Sequence, residues 1–174
     1  MPRKSILTLL TGGDRRTIGR ADRVAEMVCK DSRLFAELMA GLWSEDALVR
    51  MRAADAAEKV TRKNRELLQP YKKELLGLMS EAEEQELRWH LAVMVPRLLL
   101  SGKERRRAAS SLNKYLEDRS SIVKTFALQG LTDLAQDDDG VRAEVVEILR
   151  EAVRSGTAAM KARSRKRLVQ LGRV

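Results

Sequence analysis

The stretch L-F-A-E-L-M-A-G-L-W-S-E-D-A-L-V-R-M-R-A-A-D-A-A-E-K-V, Leu34 to Val60, contains two helix-like patterns separated by a polar break. Leu34, Leu38 and Leu42 stand four apart, the spacing that puts side chains on one face of a helix. After Ser44-Glu45-Asp46 a second stripe runs through Val49, Ala53, Ala56, Ala57 and Val60. Both stripes recur. Leu42, Met79, Leu116 and Val153 are each 37 residues apart; four positions before them come Leu38, Leu75, Leu112 and Leu149, and eight before, Leu34, Tyr71, Ala108 and Val145. The second stripe restarts at Leu87, Val123 and Met160 and continues as Leu91, Met94, Val95 and Leu98, then Ala127, Gly130, Leu131 and Leu134, then Ser164, Arg167, Leu168 and Leu171. The last set is diluted by polar residues, as suits a terminal repeat whose outer face nothing covers.

The breaks carry helix punctuation. Ser80 with Glu83 and Ser101 with Glu104 have capping-box spacing. Ser32, Ser44, Ser120 and Thr157 are candidate N-caps, and Gly102, Gly140 and Gly156 mark turns. Pro70 is expected in the first turn of its helix, and Pro96 inside a second helix, which it should kink. Each repeat reads as helix, turn, helix, with boundaries at 32–63, 65–100, 102–136 and 139–172. Residues 1–31 read as a helical N-terminal cap, with helices over Ser5–Leu10 and Arg20–Cys29, the whole forming one domain.

Composition agrees with an all-α chain. Of 174 residues only 3% are aromatic and three are proline, and a chain of this size buries roughly 70% of the surface its unfolded form exposes. No stretch is long and apolar enough for a membrane span, so the expectation is a cytoplasmic protein without membrane insertion. The lone Cys29 cannot form an internal disulfide and reads as a small buried hydrophobe. The net charge of +9 sits at the ends: residues 1–30 hold seven basic and three acidic groups, and residues 155–174 hold six basic and no acidic ones, leaving the body near neutral. That distribution argues against a chain-wide nucleic-acid footprint and leaves the ends free to meet acidic partners.

Asp46-Ala47-Leu48-Val49-Arg50, followed by the small residues Ala53, Ala56 and Ala57, resembles the opening of the second helix in HEAT repeats, relatives of armadillo repeats. Glu86-Leu87-Arg88, Ile122-Val123-Lys124 and Ala159-Met160-Lys161 keep the apolar-basic pair and lack the Asp. The resemblance covers roughly residues 32–172. It implies a right-handed α-solenoid of about four helical pairs and a role as a non-enzymatic scaffold that binds another protein on its concave inner-helix surface. Binding of a nucleic-acid phosphate backbone by the basic ends is the alternative. A third reading is excision of alkylated bases from DNA, which some HEAT-like solenoids perform and for which Trp89, His90, Asp55 and Asp133 are the available residues.

Several residues then become candidates. Arg50, Arg88, Lys124 and Lys161 form a ladder, one per repeat, expected to bond turn carbonyls and neighbouring carboxylates, with Asp46 the partner of the first rung. Two residues on, Arg52, His90, Phe126 and Arg163 are expected to project onto the concave surface as a partner-binding row. His90 lacks companions for a metal site or a catalytic triad and reads as a surface imidazole. Trp43 and Trp89 read as apolar packing at the convex edge. Asp137-Asp138-Asp139 lacks the alternating ligands of a calcium loop and reads as a turn with Asp138 or Asp139 capping the next helix. No cofactor, metal ligand set or catalytic group is identified. Arg165 and Lys166 lie in an exposed basic run, Lys161 to Arg167, and are candidate contacts for a phosphate or an acidic protein surface. Arg15, Arg16 and Arg20 lie in T-G-G-D-R-R-T-I-G-R, Thr11 to Arg20, which lacks the ending of a P-loop. There Gly12 or Gly13 ends a helix and Asp14 caps a turn, while the three arginines stand as anion contacts.

Overall fold

The computed structural model describes residues 5–172. Among them every regular element is helical. Nine α-helices run in order: α1 Ala21–Lys30, α2 Phe35–Ala40, α3 Ala47–Thr61, α4 Lys72–Glu81, α5 Gln85–Met94, α6 Gly102–Tyr115, α7 Ser121–Ala135, α8 Asp139–Ser155 and α9 Ala158–Gln170. Short 3₁₀ turns cover Ile6–Leu9, Ser32–Leu34, Gly41–Trp43, Arg65–Tyr71 and Val95–Arg97. The chain divides into two compact units, Met1–Pro70 and Tyr71–Val174.

In the first unit, α3 packs against α1 and α2. Its alanines at positions 53, 54, 56 and 57 are all buried, so α3 presents a thin face that neighbours approach closely. In the second unit the second helices of successive pairs pack on one another, α5 on α7 and α7 on α9, while α4 packs on α6 and each first helix on its own second helix. The leucine stripe explains this. Leu75, Leu112 and Leu149 are buried completely, as is Leu38 in the first unit. At full burial such a side chain contributes roughly 2 kcal/mol of apolar transfer.

The caps follow the sequence in most places. Ser101 and Glu104 form a reciprocal capping box on α6, Ser120 caps α7, Thr157 caps α9, and Asp138 caps α8 by accepting from the N–H groups of Gly140 and Val141. Three expectations differ. Asp46 rather than Ser44 caps α3, and Asp31 caps the turn at Ser32. Ser80 donates to the Leu76 carbonyl inside α4, which runs on to Glu81, so no box forms with Glu83. Pro96 does not kink a continuing helix: α5 stops at Met94 and the chain passes into the 3₁₀ turn Val95–Arg97, where the proline sits near the start and its missing N–H leaves no gap in a ladder. Pro70, expected in the first turn of a helix, lies instead near the end of the 3₁₀ turn Arg65–Tyr71, before α4 begins at Lys72.

Tyr115 and Gly130 fix the packing of the second unit most tightly. The buried Tyr115 hydroxyl donates to the Met79 carbonyl at 2.7 Å, so α6 satisfies a carbonyl in the last turn of α4. Burial also pushes the Tyr115 phenol well above its ordinary pKa. Gly130 of α7 lies so close to α5 that a Cβ there would collide with the Ala92 carbonyl oxygen and press on Leu112 Cδ1 at 3.1 Å. Replacing Gly130 with Ala is therefore expected to lower the stability of the second unit by about 2 kcal/mol, read as an earlier urea transition in the fluorescence of Trp89 with Trp43 changed to Phe.

Candidate functional site

Arg52 lies on α3 with 1% of its surface exposed. Its guanidinium is gripped by a loop some 40 residues earlier in the chain. Nη1 donates to the Leu10 carbonyl at 2.8 Å and the Gly12 carbonyl at 2.6 Å, Nη2 to the Asp14 carbonyl at 3.0 Å, and Nε to the Thr17 carbonyl at 3.3 Å. Such a wrap needs sharp backbone reversals. Gly12, Gly13 and Gly19 supply them at φ of 73°, 80° and 55°, and Gly19 comes so near that a Cβ would sit 2.9 Å from Arg52 Cζ. Asp14 braces the loop by accepting the Arg16 N–H at 2.7 Å. The glycines and Asp14 thus behave as the sequence suggests. Arg52 does not: it was expected on an open surface with His90, Phe126 and Arg163, and it is sealed inside the first unit because four fixed carbonyls offer a guanidinium more than one-sided water contact does.

The other three members of that row belong to the second unit. His90 is also buried, with 8% exposed, its ring tilted against Trp89 at a centroid distance of 5.5 Å, so it is not a surface imidazole. Phe126 on α7 and Arg163 on α9 do meet: the guanidinium carbon lies 5.4 Å from the ring centroid, and Arg163 also donates to the Gln129 side chain. Asp133 stands two turns beyond Phe126 along α7. Burial raises its carboxyl above the usual range although the charges of Arg167, Arg97 and Arg163 pull it down. Arg163 in turn is lowered by burial and by the repulsion of Arg167. Asp133 thus feels several guanidinium charges, and Arg167 Nε is buried without a hydrogen-bond partner. A hollow of about 690 Å³ opens beside Arg163 and Arg167, with Thr125, Ala159 and Lys166 also on its walls. Arg165 and Lys166 point to solvent on the same helix.

The ladder splits in two. Arg50 donates to the carbonyls of Ser44 at 2.6 Å and Glu45 at 3.0 Å, closing its own turn. Arg88 donates to the Ala82 carbonyl at 2.7 Å and to Asp118 at 2.6 Å, and its guanidinium carbon lies 5.3 Å from the Tyr115 ring centroid. Asp46 spends one oxygen on the Leu48 N–H at 2.8 Å as a cap. Lys124 and Lys161 are half-buried on α7 and α9, and the charge of Lys124 reaches Asp118. A second set of arginines closes the turns before α6 and α8. Arg105 joins the Leu100 carbonyl and Asp138, and Arg142 joins the carbonyls of Ala135 and Gln136. They stand 37 residues apart, so applying the leucine spacing to polar positions would have found them.

Ion pairs link successive repeats of the second unit: Lys72 with Glu104 at 2.9 Å, Arg88 with Asp118 at 2.6 Å and Arg105 with Asp138 at 3.0 Å. Asp138, drawn from the acidic run, is thus engaged by its cap and by Arg105. In the first unit Asp55 pairs with Lys59 at 2.7 Å. Cys29 is exposed rather than buried, at the polar end of α1. Trp43 stands 46% exposed instead of packed. The arginines at 15, 16 and 20 are exposed on the caging loop. No family model matches the chain, and no curated protein matches it.

Two measurements follow. Arg52→Met strips four carbonyls of their donor and is expected to cost the first unit about 3 kcal/mol, while Gly19→Ala costs about 2 kcal/mol through its left-handed backbone and the Arg52 contact; urea transitions followed by Trp43 fluorescence with Trp89 changed to Phe read both. Glu104 is held down to about 2 from 4.5 by the Lys72 hydrogen bond and the Ser101 N–H. A carboxyl lowered in the folded state stabilises above its unfolded pKa and loses that contribution as pH falls through the folded one. The melting temperature of the second unit should therefore drop between pH 4.5 and about 2, and Glu104→Gln should flatten that drop while lowering the plateau above it.

Proposed function

We propose that the protein is a HEAT-like α-solenoid interaction module, without enzymatic activity, that binds an acidic protein surface along the inner helices α7 and α9. The observation that carries this reading is the excess of positive charge on α9, where Arg163 and Arg167 stand close enough to repel and the buried Arg167 Nε has no hydrogen-bond partner. A carboxylate from a partner would neutralise part of that excess, and the Phe126 ring beneath Arg163 gives the contact an apolar floor. Arg165 and Lys166 extend the positive field outward, where it speeds encounter with an acidic surface. The absence of any acidic residue from 155 to 174 leaves nothing on this helix to repel such a partner. Among the described residues no helix is long and apolar enough to cross a membrane.

The alternative, contact with a nucleic-acid phosphate backbone, uses the same cations and differs in what it binds. Fluorescence anisotropy with a labelled glutamate-rich peptide and with duplex DNA separates the two. The expected result is peptide binding that weakens about tenfold in the Arg163→Glu, Lys166→Glu variant and strengthens in Asp133→Asn, which removes the competing carboxylate. Preference for DNA over the peptide, with a steep loss on adding salt, would overturn the protein-binding reading.

A further inference from the structure

The Arg52 cage determines what its loop shows to solvent. The described chain contains no cis peptide bond, and in a trans peptide the N–H points opposite to the C=O. With the carbonyls of Leu10, Gly12, Asp14 and Thr17 turned onto Arg52, the N–H groups of Thr11, Gly13, Arg15 and Ile18 face away from it. The rim of the loop thus presents the positive ends of four peptide dipoles around a buried cation. Arg15, Arg16 and Arg20 add their own charges, while Asp14, the one carboxylate of the stretch, lies over the Arg16 N–H. Every residue from Thr11 to Arg20 is exposed, including Ile18 at 41%. A hollow of about 430 Å³ opens beside them, walled by Thr8, Thr11, Thr17 and Arg20.

A loop tied at four carbonyls gives up little further backbone freedom on meeting a partner, which removes a main cost of loop-mediated binding. We propose that this loop is a docking element for an acidic protein segment that carries an apolar side chain, and that it stands independently of the α7–α9 surface. The arginines pair with the carboxylates of that segment and Ile18 meets its apolar side chain. The exposed isoleucine is what favours a protein over a phosphate backbone, since an arginine-ringed apolar contact is the composition of protein interfaces and a phosphodiester chain offers Ile18 nothing to bury against.

The test titrates the isotope-labelled full chain, carrying Arg163→Glu and Lys166→Glu to silence α9, with a short peptide of glutamates interrupted by leucine, and follows backbone amides by NMR. The expected result is movement of the Thr11, Gly13 and Ile18 amides, affinity lowered at least about tenfold by Arg15→Glu, Arg16→Glu and Arg20→Glu together, and affinity lowered several-fold by Ile18→Ser. None of these side chains belongs to the cage, and an unchanged urea transition by Trp43 fluorescence confirms that the first unit stays folded. Unmoved loop amides, or charge reversal without effect, would overturn the proposal. So would an oligonucleotide or phosphatidylserine vesicles shifting the same amides as strongly as the peptide with no dependence on Ile18, an outcome that leaves the α7–α9 reading untouched.

Discussion

A buried guanidinium must find acceptors or give up several kcal/mol of hydration. Arg52 meets that requirement with backbone carbonyls instead of a carboxylate, and the choice organises the first unit. Carbonyls are directional and belong to the chain, so satisfying four N–H donors dictates the path of a loop from Leu10 to Thr17. That path is open only where glycines accept left-handed backbone angles, which accounts for the three glycines spent on so short a stretch. The loop in turn delivers the chain to α1, whose Val24 and Val28 are buried where α1 packs on α3. The helix that carries the arginine and the helix that follows the loop are therefore held by one side chain as much as by apolar contact.

The second unit repeats a use of cations that Arg50 also makes in the first. Its arginines sit at helix starts and reach back to the carbonyls of the preceding turn, as Arg88 does to Ala82 and Arg142 to Ala135, and some continue to a carboxylate on the next repeat. Each such residue does two things: it satisfies acceptors that a helix end leaves open, and it fixes the register of one pair against the next. Towards α9 this scheme runs out. The positions that are apolar in earlier repeats become Ser164 and Arg167, and the Ser164 hydroxyl is buried without a partner. The cationic patch near Asp133 lies beside these substituted positions, and there the Ser164 hydroxyl and Arg167 Nε keep hydrogen-bonding capacity for a ligand.

The leucine and alanine stripes were legible because burial imposes a period, and a period survives in a single sequence. Ser101, Ser120, Asp138 and Thr157 were legible because capping is local. The role of Arg52 was not. It lies two residues after Arg50, which rotates it about 200° around the helix, and periodicity supplies that phase without saying what covers the face. What covers it is a loop outside the repeats, pinned by contacts no local pattern encodes. His90 and Cys29 differ from expectation for the related reason that residue type is a weak guide to exposure: the imidazole is buried, and Cys29 falls on the open side of α1. Arg105 and Arg142 obey the repeat as well, but a charged side chain at a periodic position is as compatible with a solvated face as with a bonded turn.

Gly130 bears on the kinship of the repeats. The positions equivalent to it in the other second helices are Ala56, Met94 and Arg167, so three of four repeats carry a side chain where α7 has none. The Ala92 carbonyl occupies that space. The helical pairs, alike in pattern, are consequently not interchangeable parts: each has been cut to its own neighbour. A chain rebuilt from their averaged sequence would restore the stripe of leucines and still force α7 away from α5, so the regularity visible along the sequence is a record of common ancestry or common physics more than a specification for assembly.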